Sequence, residues 1–220
     1  MFARYRLHSS LPRQVDDITS WATVNPDLIY VFDDILPNTL FQQLCNYNYS
    51  DLTWQDRRGE TAWHVFNAGE LPRPAFLTTT KQYIVRHLQT IDPDAAITSV
   101  AFEFVMKSQP GDLGQSVHPD VYEYGPHWSI LIHIAGDGGQ TTFYNDLEGP
   151  EVFAVDFKPG RVIIFPSIYL HKGNLPVTGT RYVLNSIVQL KFAPTADILK
   201  LSPELQAKKQ AMMVSPFTLG

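Results

Sequence analysis

Apolar and polar positions change rhythm near the middle of this 220-residue chain. Before Ile97, two stretches repeat apolar residues every three or four positions, the spacing of one helical face. The first covers 36–44 and follows a strand-like apolar run at 28–34. The second covers 75–89, with Phe76, Tyr83, Ile84, Val85 and Leu88 on its stripe and Pro72 and Pro74 marking its start. Between them, 61–66 has strand character. From Ile97 onward, short runs rich in Val, Ile, Phe and Tyr alternate with Gly and Pro. They predict strands over 98–106, 117–121, 128–135, 140–144, 151–156, 161–165 and 181–192. Many short strands at fairly even spacing suit two facing sheets, a mainly β fold with flanking helices built on a double-stranded β-helix, or jelly roll. Residues 1–25 carry little periodicity and predict an arm. Residues 203–213 predict a C-terminal helix whose Met212 and Met213 form a packing face or a homodimer contact.

Composition narrows the partners. A hydrophobic content of 44% excludes a disordered chain, and the length suffices for one sizeable core. The formal net charge of −5 gives no general attraction to phosphate backbones or anionic lipid, so neither nucleic acid nor membrane is an expected partner. Cys45, the one cysteine, permits no intrachain disulfide and falls in the first helical stripe, as a small core residue would. No apolar run is long enough to span a bilayer, and Met1 to Arg6 lack the apolar stretch of a signal peptide, so a cytoplasmic protein is expected.

Three short pieces carry candidate chemistry: His118-Pro119-Asp120, then His171 fifty-three residues on, then Arg181 ten residues later. Alternate residues of an extended segment point to one side, so His118 and Asp120 can share a face. Residues 160–167 read as a turn and a buried strand that ends shortly before His171, and Arg181 opens the last strand. Two imidazoles and one carboxylate on one face of an octahedral ion leave room for a chelating co-substrate and dioxygen, the ligand set of non-haem iron(II) oxygenases. A guanidinium beside them can grip a carboxylate through paired hydrogen bonds. Taken singly, each piece has a plainer reading, as a hydrogen-bonded loop pair, a structural histidine or a surface cation. Their order and context favour the joint one.

These residues resemble the iron(II)- and 2-oxoglutarate-dependent dioxygenases, especially the prolyl 4-hydroxylase-like branch. The resemblance covers residues 98–192, with a looser lead-in from Pro26. It rests on the His-x-Asp at 118–120, Gly138-Gly139-Gln140-Thr141-Thr142-Phe143, Lys158-Pro159-Gly160-Arg161, Phe165-Pro166-Ser167, His171, and Arg181 followed by Tyr182. It implies a cupin-like jelly roll, with His118, Asp120 and His171 as ligands to iron(II) and Arg181 on the distal carboxylate of 2-oxoglutarate. It further implies hydroxylation of an unactivated C–H bond of a peptidyl residue such as proline, or of a small metabolite. Dioxygen would be consumed and succinate and carbon dioxide released, with ascorbate as reductant. Many relatives place a tyrosine nine residues before the first ligand to help hold that carboxylate; here the position is Gln109, whose amide can also donate. Prolyl hydroxylases often carry lysine in place of Arg181 and an aromatic residue in place of Ile187, so the chain departs from the prolyl pattern while keeping the dioxygenase one. The implied organisation is an arm at 1–25, a single dioxygenase domain at 26–200 with its β-helix at about 98–192, and a C-terminal helix and tail at 201–220.

Tyr122, Tyr124, His127 and Trp128 are candidate substrate-binding residues, with ordinary packing as the alternative for each. His127 and His133 are also rival third ligands, plainly read as a loop residue near the cleft and a strand residue with a polar partner. The Gly-rich polar loop 108–116 is expected to act as a lid, with 54–60 facing it. Two other functions compete. A zinc hydrolase could use the same three ligands, although no general-base glutamate stands beside them. A non-catalytic jelly-roll binding module has no need for the intact four-residue set.

Overall fold

The computed structural model describes residues 22–55, 61–66, 74–121 and 127–192. The expected C-terminal helix, the arm up to residue 21, Tyr122 and Tyr124 lie outside the described residues. A 3-10 turn at Pro26–Leu28 leads into β1 (Tyr30–Phe32), α1 (Asn38–Cys45), β2 (Ala62–Val65) and α2 (Ala75–Gln89). Strands β3 (Ala96–Ser108), β4 (His127–Asp137), β5 (Gln140–Tyr144), β6 (Glu151–Asp156), β7 (Val162–Pro166), β8 (Leu170–Gly173) and β9 (Thr178–Lys191) follow. They form a six-stranded sheet, β1-β7-β4-β9-β3-β2, and a three-stranded sheet, β6-β5-β8. Neighbours in both sheets run antiparallel.

Strand β4 shows how one run of residues serves two cores. Ile130, Ile132 and Ile134 bury with Leu40, Leu44, Leu77, Ile84 and Leu88 of the two helices. Leu131 buries instead with Phe143 and Phe153 of the smaller sheet. Strand β7 alternates in the same way, with Val162 and Ile164 on the helix side and Ile163 and Phe165 between the sheets. A strand covered on both faces buries side chains in both directions, because every other one meets a different core; β7 is apolar throughout, while β4 also buries Ser129 and His133. Each fully buried Ile, Leu or Phe contributes roughly 1.5–3 kcal/mol relative to exposure.

One expectation needs correction. No strand forms over 117–121: Pro119 has no N–H to extend a ladder. Pairing there contracts to one bridge, in which His118 and His171 exchange backbone hydrogen bonds of 3.0 and 2.9 Å. His171 lies just past β7, as expected, and stands inside the short strand β8. Asp33, just after β1, holds Arg161 before β7 through two parallel bonds, Nε to Oδ1 at 2.7 Å and Nη2 to Oδ2 at 2.9 Å. The guanidinium keeps the Asp33 carboxyl below the ordinary range, and Lys158 reinforces it at 3.1 Å. Arg161 is thereby committed to joining the chain's entry to the barrel.

Candidate metal centre

The His118–His171 bridge sets two imidazoles side by side, with ring centres 4.8 Å apart. Asp120 joins them because its backbone N–H donates to Ser167 O at 2.9 Å, which turns the chain back toward β8 after Pro119. One ligand atom from each of His118, Asp120 and His171 lies within 4.8 Å of the others. Both rings are held in the same way. His118 Nδ1 lies 2.8 Å from Ser116 O, and His171 Nδ1 lies 3.0 Å from Tyr169 O. A carbonyl only accepts, so Nδ1 carries a proton in each ring and Nε2 is the nitrogen left to face a ligand. His171 is buried, and burial lowers its pKa to about 4 despite the partly offsetting Asp120 charge and with a further lowering by His118. It is therefore neutral and ready to bind metal at neutral pH.

The carboxylate is oriented by two further residues. Ser129 Oγ donates to Asp120 Oδ2, and Asn185 Nδ2 approaches Oδ2 at 3.1 Å and Oδ1 at 3.3 Å. Both partners are buried in the larger sheet, on β4 and β9.

Arg181 lines the same pocket and is 4% exposed. Burial lowers its pKa to about 10, which still leaves it charged at neutral pH. Its Nη1 donates to Asn174 O, while Nε has no hydrogen-bond partner among the described residues. Glycines make room for the guanidinium: a Cβ at Gly139 would sit 3.1 Å from Nη1, and one at Gly173 would sit 3.2 Å from Nη2. Thr141 stands opposite Gly173 across β5 and β8, lines the pocket, and its buried Oγ1 also lacks a partner among the described residues. A buried cation and a buried hydroxyl, each with unmet hydrogen-bonding capacity, form a receptor for an anionic oxygen group.

The other sequence candidates are spread out. Gln109 is exposed, and its amide donates to Thr180 Oγ1 at 3.1 Å outside the pocket lining. Gln115 does line the pocket, accepting from Gly173 N at 2.8 Å. Trp128 projects to the helix-side core, its ring 6.0 Å from that of Tyr30. His127 opens β4 opposite Gln189 and is not part of the ligand group. His133 is wholly buried, its Nδ1 accepting from Lys158 N at 3.2 Å. Loop 109–117 rests on β8 through Gln115 and on the following segment through Gly114, where a Cβ would contact Leu175 at 3.6 Å. Ser129, Thr141 and Asn185 escape a reading of the sequence. Thr141 alone had a signal there, its place beside the paired glycines.

No family model matches this sequence, and no curated protein does. Solved structures do match. A Pseudomonas putida prolyl-4-hydroxylase aligns with a TM-score of 0.54 at 16% identity, over 79% of this chain and 95% of that one. The viral collagen prolyl hydroxylase of Paramecium Bursaria Chlorella virus-1, in its 2OG complex, gives 0.50 at 13% identity, over 73% and 95%. SnoK, a non-heme alpha ketoglutarate dependent carbocyclase of nogalamycin biosynthesis, gives 0.55 at 11% identity, over 82% and 86%. The chain shares its jelly-roll fold with prolyl hydroxylases and other oxygenases that use 2-oxoglutarate.

Proposed function

We propose that this protein is an iron(II)- and 2-oxoglutarate-dependent dioxygenase, with residues 26–200 as its catalytic domain. The observation that carries the reading is the convergence, in one pocket, of His118, Asp120 and His171 with Arg181, a cation that has no carboxylate partner among the described residues. Two imidazoles and one carboxylate are a donor set that suits iron(II), and three ligands leave coordination positions for a chelate. The unpartnered Arg181 Nε and Thr141 Oγ1 suit the distal carboxylate of 2-oxoglutarate. When bound, iron and 2-oxoglutarate together supply activation of dioxygen, with succinate and carbon dioxide as products alongside a hydroxylated C–H bond.

The chain's own residues do the rest. Ser129 and Asn185 fix the Asp120 carboxylate, the Ser116 and Tyr169 carbonyls fix the two rings, and Arg181 sets the reach and direction of the co-substrate. Leu131 and Met106 line the pocket and limit water around it. Among the described residues the pocket lining contains no glutamate to serve as the general base of a zinc hydrolase. Among the matching structures, a Trichoplax adhaerens prolyl hydroxylase is in complex with a hypoxia inducible factor peptide fragment, at a TM-score of 0.53 and 17% identity. That supports a peptidyl residue as substrate, a small metabolite being the other class. His127, with Tyr122 and Tyr124, is assigned to the substrate side and ascorbate to reductant. Among the described residues no helix is long and apolar enough to cross a membrane.

The test is anaerobic titration with iron(II) and then 2-oxoglutarate, followed by mass spectrometry of candidate peptides and metabolites for one added oxygen. His118→Ala, Asp120→Ala and His171→Ala should each abolish the visible iron–2-oxoglutarate band, and Arg181→Ala should keep iron but lose 2-oxoglutarate. Full iron binding in all three ligand variants would refute the assignment.

A further inference from the structure

Arg161 and Arg181 are both buried, yet they are treated in opposite ways. Arg161 is neutralised by the two bonds from Asp33. Among the described residues Arg181 has no carboxylate partner, and its guanidinium carbon instead lies 5.3 Å from the centre of the Phe157 ring. That ring stacks on His133, with centres 4.4 Å apart and planes inclined by 15°. We propose that Phe157, backed by His133, is the positioning residue that holds Arg181 ready for the carboxylate of the co-substrate. The proposal rests on the dioxygenase reading and deepens it.

An aromatic face attracts a buried cation without occupying its N–H donors. A carboxylate in that place would cancel the charge and fill the guanidinium fork, as Asp33 does for Arg161. Phe157 is also placed by the backbone: its N–H donates to Gly139 O at 3.2 Å, so the ring is tied to the glycine that flanks Nη1. Asn174 O holds the guanidinium from another side. His133 can lie in this stack because it carries no charge. Its Nδ1 accepts from Lys158 N–H, which puts the one proton on Nε2. Burial, with the nearby Arg181 and Arg161 charges, lowers its pKa to about 3. The ordering cost of a long side chain is thus met in the fold rather than at binding, which is how preorganisation raises affinity.

The test uses the iron(II)-loaded protein under anaerobic conditions, with iron and 2-oxoglutarate dissociation constants measured separately for wild type, Phe157→Leu and Phe157→Tyr. Phe157→Leu should raise the 2-oxoglutarate dissociation constant about tenfold with iron affinity unchanged, while Phe157→Tyr stays within about twofold of wild type. Should the leucine variant not fold, Phe157→Met carries the same expectation. A leucine or methionine variant with wild-type 2-oxoglutarate affinity overturns the proposal. So does an equal loss of iron and 2-oxoglutarate, or a tyrosine variant as weak as leucine, since these mark a merely structural ring. A wild-type protein that binds iron but no 2-oxoglutarate overturns the parent reading and this one with it.

Discussion

Acid should destabilise the metal-free protein through His133, by an amount its burial sets. The ring is 0% exposed, and burial in the first place, then the charges of Arg181 and Arg161, lower its pKa from the ordinary 6.5 to about 3. The unfolded chain takes up this proton near pH 6.5, the folded chain only near pH 3. Between those values the unfolded state holds one more proton, so stability falls as pH falls. Relative to about pH 8, the loss is about 2 kcal/mol at about pH 5 and levels off near 5 kcal/mol below about pH 3. Against a typical domain stability of about 5–15 kcal/mol this is a large share. The informative variant is His133→Gln, whose amide oxygen can still accept from Lys158 N–H and does not titrate. Urea unfolding with a chelator present, from about pH 8 to about pH 5, should show wild type losing about 2 kcal/mol more than the variant. This holds even if the variant starts out less stable. His171, also held low by burial, titrates in both proteins and cancels in the comparison. Parallel pH profiles for the two would refute the reasoning.

Gly139→Ala forces a side chain onto a residue at φ +75°, with its Cβ 2.5 Å from Asn174 O. It should cost at least about 1–2 kcal/mol in stability and weaken 2-oxoglutarate binding while sparing iron, both readable by thermal melts and titration. Asn185→Leu removes a donor to Asp120, and metal titration should show affinity reduced by about 10–100-fold with the fold kept. Asp33→Asn removes the carboxylate that accepts from Arg161 Nε and Nη2. Chemical denaturation at neutral pH should show a loss of about 2 kcal/mol, below the value for a fully buried pair because the Asp33 side chain is 23% exposed. Since the Asp33 pKa is lowered, the wild-type advantage is present above the ordinary carboxylate range and is lost as pH falls below that range through the lower value of the folded state.

Helix α2 spans Ala75–Gln89, the bounds its apolar stripe predicts, and β5 and β6 match their predicted ranges of 140–144 and 151–156. These were legible because a helical stripe, or an apolar run closed by Gly and Pro, is a local pattern. That His118, Asp120 and His171 would cluster was legible for a different reason, since few arrangements place His-x-Asp, His and Arg in that sequence along a strand-rich chain. Other features depended on what lies across the sheet. Trp128 and Ser129 are adjacent, yet one packs against Tyr30 on the helix side and the other grips Asp120 in the pocket. Both faces of β4 are buried, Ile130, Ile132 and Ile134 on one and Ser129, Leu131 and His133 on the other, so strand pairing decides which distant residues each face meets. Gln109 was the expected aid to Arg181, but Thr141 occupies the pocket because β5 pairs with β8 and sets it opposite Gly173. Asn185 reaches Asp120 from sixty-five positions away, brought there by its place on β9. Spacing along one strand sets how side chains alternate, whereas strand pairing sets which distant side chains they meet. For that reason the candidate ligand group could be proposed from the chain, while the residues that orient it and the cradle around Arg181 required the folded sheets.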